Sequence, residues 1–284
     1  MTSQPSRRGE PEPPDPLPIP VVDNHTHLDI SREGGTVGVD DLGPALRAAA
    51  AVGVDRVVQI GCDPAGNEFA VAAAEAHPAV LAGVAVHPNE APGLAAAGSL
   101  DTALARVEEL AGHPRVRVVG ETGLDHYRTG PEGHAAQEES FRRHVDIAKR
   151  TGRALQIHDR DAHADVLRVL AEEGAPERTV MHCFSGDLDL ARECVARGYH
   201  LSFSGTVTFK NAKGLRDALS VTPLELVLVE TDAPYLTPHP WRGASNSPML
   251  VPLTVRAMAA TLGVAVATLC EAVSENSERL YGPW

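Results

Sequence analysis

Beyond its first eighteen residues the chain alternates short Val/Ile/Leu-rich runs with longer Ala/Leu/Glu/Arg-rich stretches of helical length. That is the pattern of βα units wound around a parallel sheet. Eight apolar runs stand out, at 19–23, 56–60, 80–86, 116–121, 154–158, 179–182, 199–202 and 226–231. They are apolar nearly throughout instead of alternating, which suits strands covered on both faces. Between them the composition predicts helices over 40–52, 64–76, 100–111, 133–150, 162–172, 188–197 and 211–218, with one or two closing helices in 249–281. An open doubly wound sheet usually has fewer strands and a glycine fingerprint after the first, and no GxGxxG follows Asp23. Eight strands in strict alternation with helices predict a closed (β/α)8 TIM barrel of the α/β class.

Length agrees with this reading, since 284 residues hold one barrel of about 250 with little to spare. No shift in composition interrupts residues 19–284, so they are taken as one domain. The first twenty residues carry seven prolines and no long apolar segment, and residues 1–18 are expected to form a disordered, proline-rich tail. The four cysteines, Cys62, Cys183, Cys194 and Cys270, show no CxxC spacing and suggest a reduced, cytoplasmic setting. None has the surroundings of a nucleophile. The net charge of −13 argues against tight attachment to nucleic acid or an anionic membrane, because such binding rests on many Lys/Arg–phosphate contacts. A phosphodiester substrate held through bound cations remains compatible with it. The expected assembly is a monomer or weak oligomer.

The predicted strand ends carry the chemistry. His25 and His27 stand two apart after the first strand, so in extended chain both imidazoles face one side. Glu121 ends strand four, His158 strand five, His182 strand six, and Asp232 closes strand eight. In a barrel these ends lie on the one rim where catalytic residues gather. Four imidazoles and two carboxylates at one mouth suit divalent ions such as Zn²⁺, Mn²⁺ or Mg²⁺. Six donors exceed what one tetrahedral ion uses, which points to two ions, roughly 3.5–4 Å apart, with Glu121 bridging. Asp232 would then also take the proton from the attacking water.

The segments DNHTHLD, GVAVHPNE, GETGLDHY, QIHDRDA, HCFSG, ETDAPYL, RGASNSP and SENSERLYG resemble the TatD family of metal-dependent hydrolases, in order from about Val21 to Gly282. The resemblance implies an amidohydrolase-type barrel with two metal ions. It also implies a deoxyribonuclease, often a 3′→5′ exonuclease on single-stranded DNA or RNA. Matched position by position, the family's ligands fall on His25, His27, Glu121, His158, His182 and Asp232. By resemblance the first ion goes to His25, His27, Glu121 and Asp232, and the second to His158, His182 and Glu121. His87, in VHPN, matches a pocket histidine suited to phosphate contact or leaving-group protonation, with a plain rim position as the rival. Two positions depart from the family pattern: Asn89 stands where a histidine is more usual, and the loop from Arg242 to Pro248 carries Ala244, Ser245 and Ser247 in place of charged residues. Both bear on the substrate and not on the metals.

Further rim candidates for substrate contact are Asp125, Arg160, Lys210, Arg242 and Asn246. Asp125 is alternatively a support for Glu121 or a turn cap, and Arg160 alternatively a helix cap. The leading functional reading is a metal-dependent nuclease with single-stranded nucleic acid as substrate. An ester or amide hydrolase, such as an aminoacyl-tRNA deacylase, uses the same cluster. A metal-containing scaffold without activity is the third reading.

Overall fold

The computed structural model describes residues 10–31 and 37–284. Eight parallel strands pair in sequence order into one sheet. They are β1 (Val21–Thr26), β2 (Val54–Ile60), β3 (Val80–Val84), β4 (Val116–Asp125), β5 (Ala154–Arg160), β6 (Thr179–Met181), β7 (His200–Phe203) and β8 (Val227–Val229). Helices α1 (Gly43–Ala51), α2 (Pro64–Ala76), α3 (Ala91–Ala96), α4 (Leu100–Ala111), α5 (Pro131–Thr151), α6 (His163–Glu173), α7 (Leu188–Ala196), α8 (Lys213–Val221), α9 (Val251–Leu262) and α10 (Val266–Tyr281) pack outside it. All eight expected strands form, and the sheet curls into a nearly closed TIM barrel. Only α3, a short turn of helix after β3, had no counterpart in the sequence pattern. Its six residues are too few to show a helical period.

Strand ends differ from expectation by up to four residues: β5 runs on to Arg160, β3 and β8 stop two residues short, and the ends of β1 and β4 bear most on the site. β1 runs on to Thr26, so His25 sits inside the strand and not beyond it. β4 continues four residues past Glu121, to Asp125, because Thr122 to Asp125 pair in register with Ile157 to Arg160. A bulge makes this possible. Val119 faces Leu155 and Thr122 faces Ile157, so β4 takes three steps where β5 takes two. Val118 points into the barrel and Val119 toward the helices, and unbroken alternation would turn Glu121 outward. The bulge lets Gly120 and Glu121 share the inward place of one residue. A side chain at Gly120 would put Cβ 2.7 Å from Gln156 Cβ, and at Gly123, with φ of 137°, one would lie 2.1 Å from the His158 carbonyl.

The first and last strands close the barrel through a seam made largely of side chains. Asn24 Nδ2 donates to Val229 O (2.7 Å), and the Asp23 carboxylate accepts from Thr231 N (2.8 Å) and Thr231 Oγ1 (2.6 Å). Main-chain bonds run from Asp232 N to His25 O (3.0 Å) and from His27 N to Ala233 O (2.8 Å). Val22, Val58, Leu81, Val118, Ala154, Val180 and Leu228 fill the interior, joined by Leu280 and Tyr281 from α10. Trp284 Nε1 bonds Ala79 O, just before β3, which places the end of α10 at the N-terminal end of the barrel.

Residues 1–9 of the expected tail lie outside the described residues. In 10–20 there is neither helix nor strand, but Leu17 is buried and its N–H bonds Val52 O at 3.0 Å, tying this stretch to the barrel. Among the described residues no single helix is long and apolar enough to cross a membrane. Only 248–262 and 266–281 together reach that length and composition, and they meet at 111°.

Replacing Asn24 by Ala leaves the buried Val229 carbonyl without the Nδ2 donor that closes the seam, while the Ser277 hydroxyl keeps Val273 O. We expect a loss of about 2 kcal/mol in urea unfolding with the m-value unchanged. His144 on α5 supplies a pH dependence. Its Nδ1–H donates to Ser140 O (2.7 Å) and its Nε2 accepts from Val86 N–H (3.0 Å), so the buried neutral ring is satisfied and burial pushes its pKa down to about 4. Between pH 6.5 and 4 the unfolded chain binds a proton that the native ring refuses. The contribution is therefore full above pH 6.5 and declines by roughly 3 kcal/mol on descent to pH 4. In chelator-treated protein, His144→Gln should flatten the fall of the unfolding midpoint over this window, and an unchanged slope would count against the assignment.

Candidate metal centre

The mouth at the C-terminal ends of the strands brings all six sequence-predicted donors together around Glu121, which is only 4% exposed. Its Oε2 lies 3.5 Å from His25 Nε2 and 3.9 Å from His27 Nε2. Its Oε1 lies 2.6 Å from His158 Nδ1, 3.2 Å from His182 Nε2 and 3.5 Å from His87 Nε2. Asp232, with φ of 56°, sets Oδ1 3.5 Å from His27 Nε2 and 4.0 Å from His25 Nε2.

Hydrogen bonds decide which nitrogens are available. His25 Nδ1 is 2.7 Å from Gln156 Oε1, while Gln156 Nε2 donates to Asn24 O and Tyr281 Oη at 2.9 Å each. The amide is thus oriented with its oxygen toward His25, and Nδ1 must be the donor. His27 Nδ1 likewise faces Ile60 O at 3.1 Å. Both Nε2 atoms then present lone pairs to each other across 3.2 Å, beside two carboxylate oxygens. Two facing lone pairs and two anions repel unless a cation lies among them, so this donor set fits a divalent ion.

The electrostatics tell the same story. Burial raises the pKa of Glu121, but His182, His87 and the bonds from His158 and His182 outweigh it and hold the carboxyl well below its ordinary range. Asp232 is also lowered, burial being overcome by His27 and His182. His27 is raised well above 6.5: burial opposes protonation, and the Asp232 carboxylate beside Nε2 overcomes it. A proton here takes the place of the cation that the cluster attracts.

Among the described residues four sets of three donors come within mutual ligating reach: His25, His27 and Asp232; His25, Glu121 and His182; His27, Cys62 and Glu121; His87, Glu121 and His158. The expected trio of His158, His182 and Glu121 is not one of them. His158 Nε2 instead meets Asp125 Oδ2 at 3.2 Å, and the His158 and His182 ring centroids are 6.5 Å apart. Cys62 went unnoticed in the sequence as a neighbour of this cluster. Burial pushes its thiol up to about 11, and Cys183 is raised too, so neither is a thiolate at neutral pH.

The residues that support the donors are not singled out by the strand-end pattern. Glu230, fully buried, puts Oε1 2.9 Å from His182 Nδ1, at ion-pair distance though not aligned as a hydrogen bond. Gln156 and Glu230 each stand two residues before a donor, His158 and Asp232, and each interrupts an apolar run. That interruption was the signal available in the sequence.

The rim residues divide. Asp125 is buried, accepts from Tyr127 N (3.1 Å), Arg128 N (2.8 Å) and Asn89 Nδ2 (3.0 Å), and supports His158 instead of facing the mouth. Burial raises its pKa, but His158 and Asn89 hold the carboxyl well below its ordinary range. Asn246 also turns inward: Nδ2 donates to Thr231 O (3.0 Å) and Tyr235 O (2.6 Å), and Oδ1 accepts from Ser247 N (2.9 Å). Arg160 lies over the exposed Tyr127 ring at 4.0 Å. Lys210 and Arg242 line one cavity with Phe209 and His239. Asn89 N–H donates to His87 Nδ1 (3.0 Å), which leaves the proton of the neutral ring on Nε2.

An eight-stranded barrel with imidazoles and carboxylates clustered at its C-terminal mouth is the architecture of a metal-dependent hydrolase. Residues 22–282 match the family model for TatD related DNase. The chain is 45% identical over 267 residues to the uncharacterized metal-dependent hydrolase TatD of Mycobacterium tuberculosis, covering 92% of this chain and 98% of that protein. It is 35% identical to the uncharacterized metal-dependent hydrolase YabD of Bacillus subtilis, again over 92% and 98%. Among solved structures, the TatD homolog YjjV of Escherichia coli superposes with a TM-score of 0.83 at 24% identity, over 92% of this chain and 97% of that one. The chain belongs to the TatD family and is a metal-dependent hydrolase.

Gln156→Leu frees His25 to turn, and Glu230→Gln removes the anion behind His182. Each should weaken zinc binding about 10- to 100-fold in competition with a chromogenic chelator. Parent-like affinity in both variants would show that these contacts do not orient the donors.

Proposed function

We propose that this hydrolase cleaves phosphodiester bonds of single-stranded DNA or RNA, trimming from the 3′ end with two divalent ions, Mg, Mn or Zn. The observation that carries the reading is the division of Glu121, whose Oε2 faces His25 and His27 while Oε1 faces His158, His182 and His87. A carboxylate so placed suits a shared ligand between two sites. Bound ions would supply positive charge for the phosphate oxygens and lower the pKa of the attacking water. Asp232, held ionised, is positioned as proton acceptor. His87 offers its Nε2–H to a phosphate oxygen or to the departing oxygen, since Asn89 N–H occupies Nδ1. Tyr235, 43% exposed and edge-on to His27 at 6.5 Å between centroids, offers a face for an unstacked base. The same reading places the enzyme in the cytoplasm, supported by four cysteines free of disulfides.

Labelled single-stranded DNA should be shortened by the metal-loaded protein and left intact when chelator is present. Asp232→Asn and His87→Ala should each lower kcat by about 10²- to 10⁴-fold. Metal-loaded protein that leaves DNA and RNA intact, yet hydrolyses aryl esters or charged tRNA, would overturn the phosphodiester assignment.

A further inference from the structure

The loops after β7 and β8 are joined into a preformed wall beside the metal centre. His239 N–H donates to Thr208 Oγ1 at 2.8 Å, and Gly205 lies so close to the Leu236 carbonyl that a Cβ there would approach it to 2.2 Å. The wall encloses a cavity of about 270 Å³ lined by Phe209, Lys210, His239 and Arg242. Among the described residues neither Lys210 nor Arg242 has a carboxylate partner, whereas arginines elsewhere on this acidic chain are repeatedly ion-paired. Arg242 Cζ lies over the Phe209 ring at 4.0 Å from its centroid, a cation–π contact that holds the guanidinium at the cavity and leaves its N–H groups to donate. With that face of Phe209 covered, a nucleobase cannot stack on it. The remaining chemistry is a lysine point charge, a guanidinium fork and an imidazole, all suited to a phosphate group.

We infer that the cavity of Phe209, Lys210, His239 and Arg242 seats a non-scissile phosphate of the substrate strand, next to the nucleotide being cleaved. The inference rests on the phosphodiester reading for its substrate and adds a subsite to it. Asp232 follows β8 on the same rim as this wall, so a strand whose scissile phosphate lies at the metal donors can extend its neighbouring phosphate toward Lys210 and Arg242. The enzyme therefore prefers strands with at least two phosphates over a dinucleotide carrying one.

The test uses full-length protein in chelator, where nothing is cleaved, with fluorescein-labelled pentathymidylate followed by anisotropy. Arg242→Gln and Lys210→Met should each weaken binding about tenfold and lower the slope of log K against log salt by about one. Arg197→Gln is the charge-matched control, because Arg197 ends α7 at the opposite end of the barrel. No binding by the parent protein, or equal loss in all three variants, would overturn the subsite. With metal restored, Arg242→Gln should raise KM for the pentamer more than for a dinucleotide. Cleavage with KM unchanged for both would sink the subsite and leave the phosphodiester reading standing. Selective binding without cleavage would do the reverse.

Discussion

Everything at the mouth of this barrel follows from one buried negative charge. The Glu121 carboxylate is almost out of contact with water, and an uncompensated anion there would cost several kcal/mol. Five imidazoles from β1, β3, β5 and β6 or their following loops surround it; His182, His87 and His158 hold it ionised, while the lone pairs of His25 and His27 leave their side of it for a cation. Their outer nitrogens are then committed in turn, to Gln156, Ile60 O, Asn89 N and the carboxylates of Asp125 and Glu230. Lone pairs and carboxylate oxygens are thereby turned inward at a point where a cation is the natural occupant.

Compensation of this kind requires the strands to hold still, and the seam between β1 and β8 secures the critical pair. Asp23 and Asn24 occupy the closing edge with side-chain hydrogen bonds, while Asp232 N and His27 N exchange main-chain bonds with the facing strand end. The same residues that close the cylinder bring the carboxylate of Asp232 against the imidazoles of His25 and His27. Closure and site assembly are one event at this edge. Burial raises Asp23 to about 7 despite the Thr231 bonds, so the seam contains a carboxyl close to neutrality behind the first two histidines.

Much of this was legible in the linear order of residues. Eight apolar runs of buried-strand character, separated by helical stretches, specify alternation without reference to tertiary contacts. Once alternation implies a barrel, residues at strand ends share a rim, which is why His25, His27, Glu121, His158, His182 and Asp232 could be grouped. Polar residues inside the strands were harder to interpret. Gln156 and Glu230 look like interruptions of an apolar run until the direction of each strand face is known. Asp125, for which a turn cap stands beside substrate contact in the sequence, caps its turn and also holds Asn89 and His158, while Asn246 commits its amide to Thr231 O and Tyr235 O instead of facing substrate.

The sequence by itself determined the class of fold, the TatD resemblance and the identity of the clustered donors, because periodicity and strand-end position are local properties. Tertiary structure decided how those donors divide. Local alternation would send Glu121 outward, and only pairing with β5, with one extra residue in β4, turns it into the mouth. Likewise, which nitrogen of His25 and of His27 faces inward depends on partners 131 and 33 residues away in the chain, beyond the reach of any local pattern.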